Sequence, residues 1–123
     1  MSYPPPKAED AVRSIRYTFP SEFLQFKTIR TGLEFRVGPQ PVESFRMIEL
    51  HYFKGKLVRE YDFTFGFCIP NSTNSWEAIY DIPKMSKADV EDYRQSPFAH
   101  TSDSYYFVGD KLIMHNKAAY QYM

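Results

Sequence analysis

Glu49 and His51 are the residues whose types and spacing could most directly do chemistry. They lie two apart in the run FRMIELHYF (residues 45–53), and a strand places residues two apart on the same face. If that face points inward, the carboxylate and the imidazole need partners, water or a polar ligand atom, because burying either one unpaired is costly. The alternation alone favours a solvated Glu49 face and a core on the opposite face, which carries Ile48 and Leu50.

Catalytic patterns are weak elsewhere in the sequence. Cys68 could be a thiol nucleophile, but it lies between Phe67 and Ile69 and is better interpreted as a buried, inert thiol. The histidines are not spaced as metal ligands, and the sequence has no glycine-rich phosphate loop. We therefore predict that the protein is not an enzyme and uses neither metal nor cofactor, and we keep an esterase or thiol enzyme as the weaker alternative.

The composition narrows the class of protein further. The chain has 123 residues, of which 18% are aromatic, and its 15 basic and 15 acidic residues give a net charge of zero. A neutral chain is a poor candidate for binding nucleic acid through its phosphates. The single cysteine excludes a disulfide framework and favours a reducing compartment, so we expect a cytoplasmic protein. No apolar stretch is long enough to span a bilayer, so we expect no stable membrane insertion.

The elements that must position Glu49 and His51 are predicted to be mostly strands. Two hairpins stand out, with turns at Lys54-Gly55 and at Gly109-Asp110. Further strand patterns occupy residues 12–19 and 33–37, and the apolar-rich run EFLQFKTIR (residues 22–30) lies between them. Many short strands separated by turns predict an antiparallel sandwich or barrel.

Two segments depart from the strand pattern. Residues 86–97 predict a short helix that begins at Ser86 as N-cap and stops at Pro97. Residues 1–11 are rich in proline and charge and predict a flexible arm, which leaves residues 12–123 as one domain.

The run EYDFTFGFCIPNSTNSW (residues 60–76) has an aromatic residue at every second position from residue 61 to residue 67. Tyr61, Phe63, Phe65 and Phe67 would share one face of a strand, and the pattern alone does not decide whether they fill a core or line a cavity. Ten tyrosines are many hydroxyl groups for a small core, and a cavity with an apolar body and a polar mouth would use tyrosine in this way.

Several long motifs resemble a known family. FGFCIPNSTNSW (residues 65–76), IYDIP (79–83) and SDSYYFVGDKLIMHNKAAYQY (102–122) are similar to the phosphodiesterase delta-subunit-like family of prenyl- and myristoyl-binding proteins, in particular its uncoordinated-119 branch. The resemblance runs from about residue 12 to residue 122. It implies an all-β, immunoglobulin-like β-sandwich with a lipid pocket between the sheets and one short helix.

The function that the resemblance implies is that of a soluble lipid-binding chaperone. Such a solubilising factor binds the myristoyl group at the N-terminus of cargo proteins, such as G-protein α subunits and ciliary proteins, and transports them between membranes. A GTP-bound Arf-like small G protein is expected to release the cargo, which would place the protein in the cytoplasm and at the cilium. A binder of prenylated C-termini, or an interaction adaptor without a complete pocket, is the alternative.

The resemblance also implies the residues of the pocket, and it favours an inward orientation of the Glu49 and His51 face. The implied lipid-binding set is Tyr17, Phe23, Ile29, Leu33, Glu49, His51, Tyr61, Phe63, Tyr80, Ile82, Tyr106 and Tyr120. Phe65 and Phe67 are then expected to pack the closed end of the sandwich. The family pattern includes a first β-hairpin before the RYTF strand (residues 16–19), and only about a dozen residues precede that strand here, so we expect one open sheet edge.

Overall fold

A computed structural model describes residues 13–123 as seven strands, one 3-10 helix and one α-helix. The arm predicted for residues 1–11 lies outside the described residues. The elements in chain order are β1 (Arg13–Phe19), the 3-10 helix (Ser21–Gln25), β2 (Thr28–Arg36), β3 (Val42–Phe53), β4 (Lys56–Cys68), β5 (Thr73–Asp81), α1 (Lys87–Gln95), β6 (His100–Val108) and β7 (Lys111–Tyr122).

The strands form two sheets of unequal size. The larger has the order β1-β7-β6-β3-β4 and is antiparallel except for the parallel pair β1–β7, whereas β2 and β5 form a separate antiparallel pair. Both predicted hairpins are present, as β3–β4 and β6–β7. The two sheets pack through one apolar cluster that includes Phe45, Met47, Ala78 and Tyr80, so the predicted all-β sandwich is confirmed.

The apolar-rich run of residues 22–30 is divided between the 3-10 helix and the start of β2. Pro20 precedes a 3-10 turn, in which the amide of Phe23 donates to the Pro20 carbonyl at 3.1 Å. This turn buries Leu24, and β2 begins only at Thr28. Proline fixes its own φ and favours the entrance of a helical turn, and burial of Leu24 holds the turn in place.

Helix α1 follows the predicted capping pattern. The Ser86 hydroxyl accepts a hydrogen bond from the Asp89 amide at 3.0 Å, and the helix ends at Gln95, two residues before Pro97. Its Tyr93 ring stacks face to face on Phe53 of β3, with centroids 3.9 Å apart. Within residues 13–123, no helix is long and apolar enough to cross a membrane.

Both faces of β3 are buried. Ile48 and Leu50 pack with Tyr105 on the outer face of the large sheet, while Glu49 and His51 are buried on the inner face. The interpretation from alternation alone, a solvated Glu49 face, is therefore wrong. The inward orientation implied by the family resemblance is confirmed.

A bulge in β4 changes which residues face inward. Phe45 pairs with Gly66 and Arg46 pairs with Thr64, so one extra residue of β4 is accommodated where Gly66 adopts a φ of +97°. The inward positions shift from odd to even numbers, which leaves Cys68 2% exposed and Phe67 59% exposed. The expectation that Phe67 packs the closed end is wrong.

The residues on either side of this bulge otherwise behave as expected. Phe65 remains in the core, where its ring meets Phe35 edge to face at 5.1 Å. Cys68 is the buried thiol that its apolar neighbours suggested, and burial raises its pKa.

Replacing Gly66 by alanine should destabilise the fold by about 1–2 kcal/mol, because an L side chain is strained at that positive φ. No heavy atom lies within 4 Å of a Cβ built at either Gly66 or Gly32, so steric clash does not confuse the comparison. The matched Gly32→Ala change in β2 should leave the free energy of unfolding unchanged or raise it by up to about 1 kcal/mol. Urea denaturation measures both values, and equal effects of the two substitutions would contradict a strained bulge.

Candidate functional site

A cavity of about 380 Å³ lies between the two sheets. Aromatic and aliphatic side chains from both sheets form most of its wall, and the 3-10 helix adds Phe23 and Leu24 at one end. A volume of this size is in the range of small-molecule sites. The strand run with regular aromatic residues therefore contributes both to a packed core and to a cavity wall.

The structure brings together all but one of the residues that the family resemblance implied. Those at the cavity are Tyr17, Phe23, Ile29, Leu33, Glu49, His51, Tyr61, Tyr80, Ile82, Tyr106 and Tyr120. Phe63 is not at the cavity, because its ring packs in the core beside Tyr61 and meets Tyr80 edge to face at 5.1 Å. That the residues at the cavity bind a ligand stays a prediction.

The cavity is closed along one side and open along the other. Where β4 meets β5, the Tyr61 hydroxyl donates to the Asp81 carbonyl at 2.9 Å, and the Tyr61 and Tyr80 rings meet edge to face at 4.8 Å. On the opposite edge of the large sheet, Ile15 and Tyr17 of β1 line the cavity but remain 45% and 37% exposed. A ligand would therefore reach the cavity along β1.

Sequence reasoning missed a row of polar residues on β6. His100, Ser102 and Ser104 line the cavity on the same face as Tyr106, which the resemblance had implied. The alternation in HTSDSYYFV (residues 100–108) would have assigned all of them to one face. The spacing places these residues on the same face as Tyr106. Serine and histidine on a strand are typical of a solvated face, so their polarity argued against a position at the cavity.

Glu49 accepts hydrogen bonds inside the cavity wall. Ser104 Oγ donates to Oε1 at 2.6 Å, and His51 Nε2 lies 3.1 Å from Oε2. Burial raises the pKa of Glu49, but the hydrogen bond and the electrostatic attraction of His51, together with hydrogen bonds from Ser104 and Tyr80, outweigh burial and hold the pKa below its ordinary value. The carboxylate is therefore ionised at neutral pH, although it is buried among aromatic rings.

The hydroxyl of Tyr80 is one of the groups that stabilise this charge. Burial, and then the negative charge of Glu49, raise the pKa of Tyr80 far above its ordinary value. Tyr80 thus stays protonated and donates to Glu49. An ionised carboxylate offers about four lone-pair positions, and three groups occupy this one, so it has room for one further donor.

A chain of hydrogen bonds extends from Glu49 across the sheet. His51 Nδ1 lies 2.9 Å from His100 Nε2, and His100 Nδ1 lies 2.6 Å from the Tyr122 hydroxyl. Burial, followed by the charges of His51 and Arg59, lowers the pKa of His100 to about 2, so this ring carries one proton.

The ionised carboxylate fixes the orientation of the first ring in that chain. A carboxylate only accepts, so His51 donates to Glu49 through Nε2–H. Nδ1 of His51 and both nitrogens of His100 also have a polar atom within hydrogen-bond distance, so each ring nitrogen has a partner. We call the run Tyr122–His100–His51–Glu49 the polar chain.

A second, shorter pair lies beside the polar chain. Ser102 Oγ and the Tyr120 hydroxyl are 2.9 Å apart, and the Tyr120 ring stacks on His100 with centroids 4.4 Å apart. Burial raises the pKa of Tyr120 to about 12, so its hydroxyl stays protonated.

Among residues 13–123, no group of three or more His, Cys, Asp or Glu side chains could hold a metal ion. The cavity is thus suited to a ligand that is apolar along its length and carries hydrogen-bond donors at one end.

The fold and cavity define the class of a β-sandwich with an internal cavity between its sheets. The chain belongs to the family described as GMP-PDE, delta subunit, which matches residues 2–122. The family suggested by the sequence motifs is therefore confirmed.

Within this family, the chain is similar in sequence to several unc-119 proteins. The chain is 48% identical over 114 residues to Protein unc-119 of Caenorhabditis briggsae, an alignment that covers 93% of this chain and 52% of that protein. It is 49% identical over 112 residues to Protein unc-119 homolog B of Homo sapiens, covering 91% and 45% of the two chains. For Protein unc-119 homolog of Drosophila melanogaster, the identity is 49% over 113 residues, covering 92% and 43%. The chain spans about half the length of the curated relatives that it matches.

Acidification should weaken the fold through His100. Its folded-state pKa of about 2 keeps the imidazole neutral, whereas the same group in the unfolded chain takes up a proton below about pH 6.5. The stability is complete above that pH and is lost as the pH falls, at about 1.4 kcal/mol per unit, or about 2 kcal/mol between pH 6.5 and pH 5.

Urea denaturation of the wild type and of His100→Gln at pH 7, 6 and 5 tests this expectation. The substitution should flatten the dependence of the unfolding free energy on pH by roughly that slope. Parallel curves for the two proteins would show that His100 is not the buried neutral group.

Proposed function

We propose that this protein is a lipid-binding chaperone whose cavity holds the myristoyl group at the N-terminus of cargo proteins. The observation that carries the proposal is a cavity with an aromatic wall in which one ionised acceptor, Glu49, is held by Ser104, His51 and Tyr80. An N-acylated peptide has the matching chemistry, because a long apolar chain ends in an amide N–H.

Burial of the acyl chain supplies most of the affinity. About ten methylene groups at ~0.8 kcal/mol each give on the order of 8 kcal/mol, which corresponds to roughly micromolar binding before ordering costs. A single myristoyl chain binds membranes only marginally, so a carrier of this affinity competes with the bilayer and keeps the cargo in solution.

Hydrogen bonds to the first residues of the cargo provide the remaining affinity. Glu49 has room for one more donor, His51 orients it, and Tyr17 stands at the open side of the cavity. The acyl amide N–H fits Glu49 in this arrangement. A thioether-linked prenyl group has no such donor, and the carboxylate of a free fatty acid would be repelled by Glu49. Glu49 thus favours N-myristoylated proteins over both other lipids.

Release of the cargo would be controlled by a partner. The partner that the motif resemblance implies is a GTP-bound Arf-like small G protein, which would release the cargo by favouring a state with a constricted cavity. The cargo would include G-protein α subunits and ciliary proteins, which the carrier moves between membranes through the cytoplasm and to the cilium.

Titration of a fluorescent myristoylated peptide against its unacylated twin tests the proposal directly. We expect roughly micromolar binding of the acylated peptide and at least a hundredfold weaker binding of its twin, because only the first buries an acyl chain. A farnesylated C-terminal peptide should compete poorly. Equal, weak binding of the acylated and unacylated peptides would rule out the carrier, and preferred binding of the farnesylated peptide would assign the cavity to prenyl groups.

The Glu49→Gln variant should bind the myristoylated peptide about tenfold more weakly, because it replaces a charged acceptor with a neutral one. Its affinity for free myristate should fall less or even increase, since the repelling charge is removed. Glu60→Gln, a matched change at an exposed position of β4, should leave both affinities unchanged. Isothermal titration measures all three proteins, and equal losses for peptide and myristate in Glu49→Gln would remove Glu49 from peptide recognition.

A further inference from the structure

Asn116 is a cavity residue that neither the motifs nor the polar chain accounts for. It lies on the inner face of β7, directly opposite Ser104 of β6, and Ser104 donates to Glu49 of β3. The three side chains therefore form one row across three neighbouring strands. Asn116 is the member of the row nearest to β1, along which the cavity is open.

The side-chain carbonyl of Asn116 is buried and unpaired. Among residues 13–123, its Oδ1 has no hydrogen-bond partner. Burial raises the pKa of Tyr106, and a hydrogen bond from the Asn116 amide to the Tyr106 hydroxyl lowers it by a smaller amount. An amide nitrogen directed at Tyr106 leaves Oδ1 as the free end of the side chain. Buried carbonyl groups are nearly always satisfied, so an unpaired one in a cavity wall needs an explanation.

The comparison with His115 shows why the cavity matters. His115 Nδ1 is the other buried side-chain atom of the described chain without a partner, but it lies on the outer face, where the ring stacks on Tyr105 and Nε2 meets Asp103 at 2.8 Å. His115 does not line the cavity between the sheets. Asn116 Oδ1, in contrast, belongs to a side chain that lines the proposed lipid site.

We propose that Asn116 Oδ1 accepts a backbone N–H from the cargo peptide, beyond the acyl amide that Glu49 receives. This inference rests on the proposed function, because it assigns a second peptide contact in the same cavity. A peptide that leaves Glu49 towards β1 passes β6 and β7, two strand spacings or about 10 Å away. In an extended peptide, N–H groups on the same side recur about every 7 Å, so the next such group comes within reach of Asn116.

The contribution of Asn116 to peptide affinity can be isolated by removing the peptide N–H and the Asn116 side-chain carbonyl separately. The ligands are a myristoylated peptide and two analogues in which an ester replaces the amide before the second or the third residue, which deletes one N–H with little change of shape. The proteins are the wild type, Asn116→Leu, which keeps the size of the side chain, and Asn116→Ala. Free myristate, which has no N–H, serves as the ligand control.

For one of the two ester positions, we expect the wild type to lose about tenfold in affinity relative to the amide peptide, and Asn116→Leu and Asn116→Ala to show no such loss. The loss is taken as the ratio of amide to ester affinity within each protein, and the affinity for free myristate reports any separate damage to the cavity, so a lost hydrogen bond is distinguished from a changed lipid site. Losses that are the same in all three proteins at both ester positions would overturn the role of Asn116. Failure of the wild type to bind any acylated peptide would instead overturn the proposed function itself.

Discussion

The buried charge of Glu49 is the constraint on which the rest of the site depends. A carboxylate among aromatic rings is tolerated only if donors surround it, and Ser104, His51 and Tyr80 supply them from three different strands. Each donor must itself be oriented, and His100 does this for His51. The charge thus dictates which polar residues face inward on β3, β5 and β6. It also explains how a cavity that is largely aromatic keeps a fixed hydrogen-bonding end.

The unequal sheets explain why a cavity exists at all. The two-stranded sheet is too narrow to cover the whole inner face of the five-stranded sheet. It packs closely where β5 meets β4, whereas the inner faces of β7 and β1 are less covered by β2 and β5. Large rings bridge the remaining space: Tyr17 stacks on Tyr120 with centroids 5.5 Å apart, and Phe19 stacks on Phe23 at 4.8 Å. Side chains that would interdigitate in a closed sandwich are therefore held apart, and the site is a consequence of strand number as much as of side-chain chemistry.

Much of this could be predicted from local sequence, and the failures have physical causes. Turn residues and the Ser86 cap act over a few positions, so both hairpins and α1 were predictable. Phe67 was misplaced because a bulge at Gly66 reverses the alternation, and a bulge is set by pairing with a distant strand. The β6 row was overlooked because Ser104 and His100 are buried only through contacts with residues far along the chain. Motif resemblance supplied the location of the cavity, which periodicity alone left undecided.

The parallel pairing of β1 with β7 has a consequence for how the protein folds. Arg13 pairs with Asn116 and Phe19 with Tyr122, and strands β2 to β6 all lie between these paired segments in the chain. The amide of Ser21 also donates to the carbonyl of Met123 at 2.9 Å. Contacts between such distant segments form slowly, because the chain must first lose the entropy of closing a long loop. During synthesis, β1 must wait until β7 has emerged. The hairpins can form early, whereas the cavity wall formed by β1 is completed only after β7 is available, and until then Tyr17 and Phe19 remain accessible to chaperones or to aggregation.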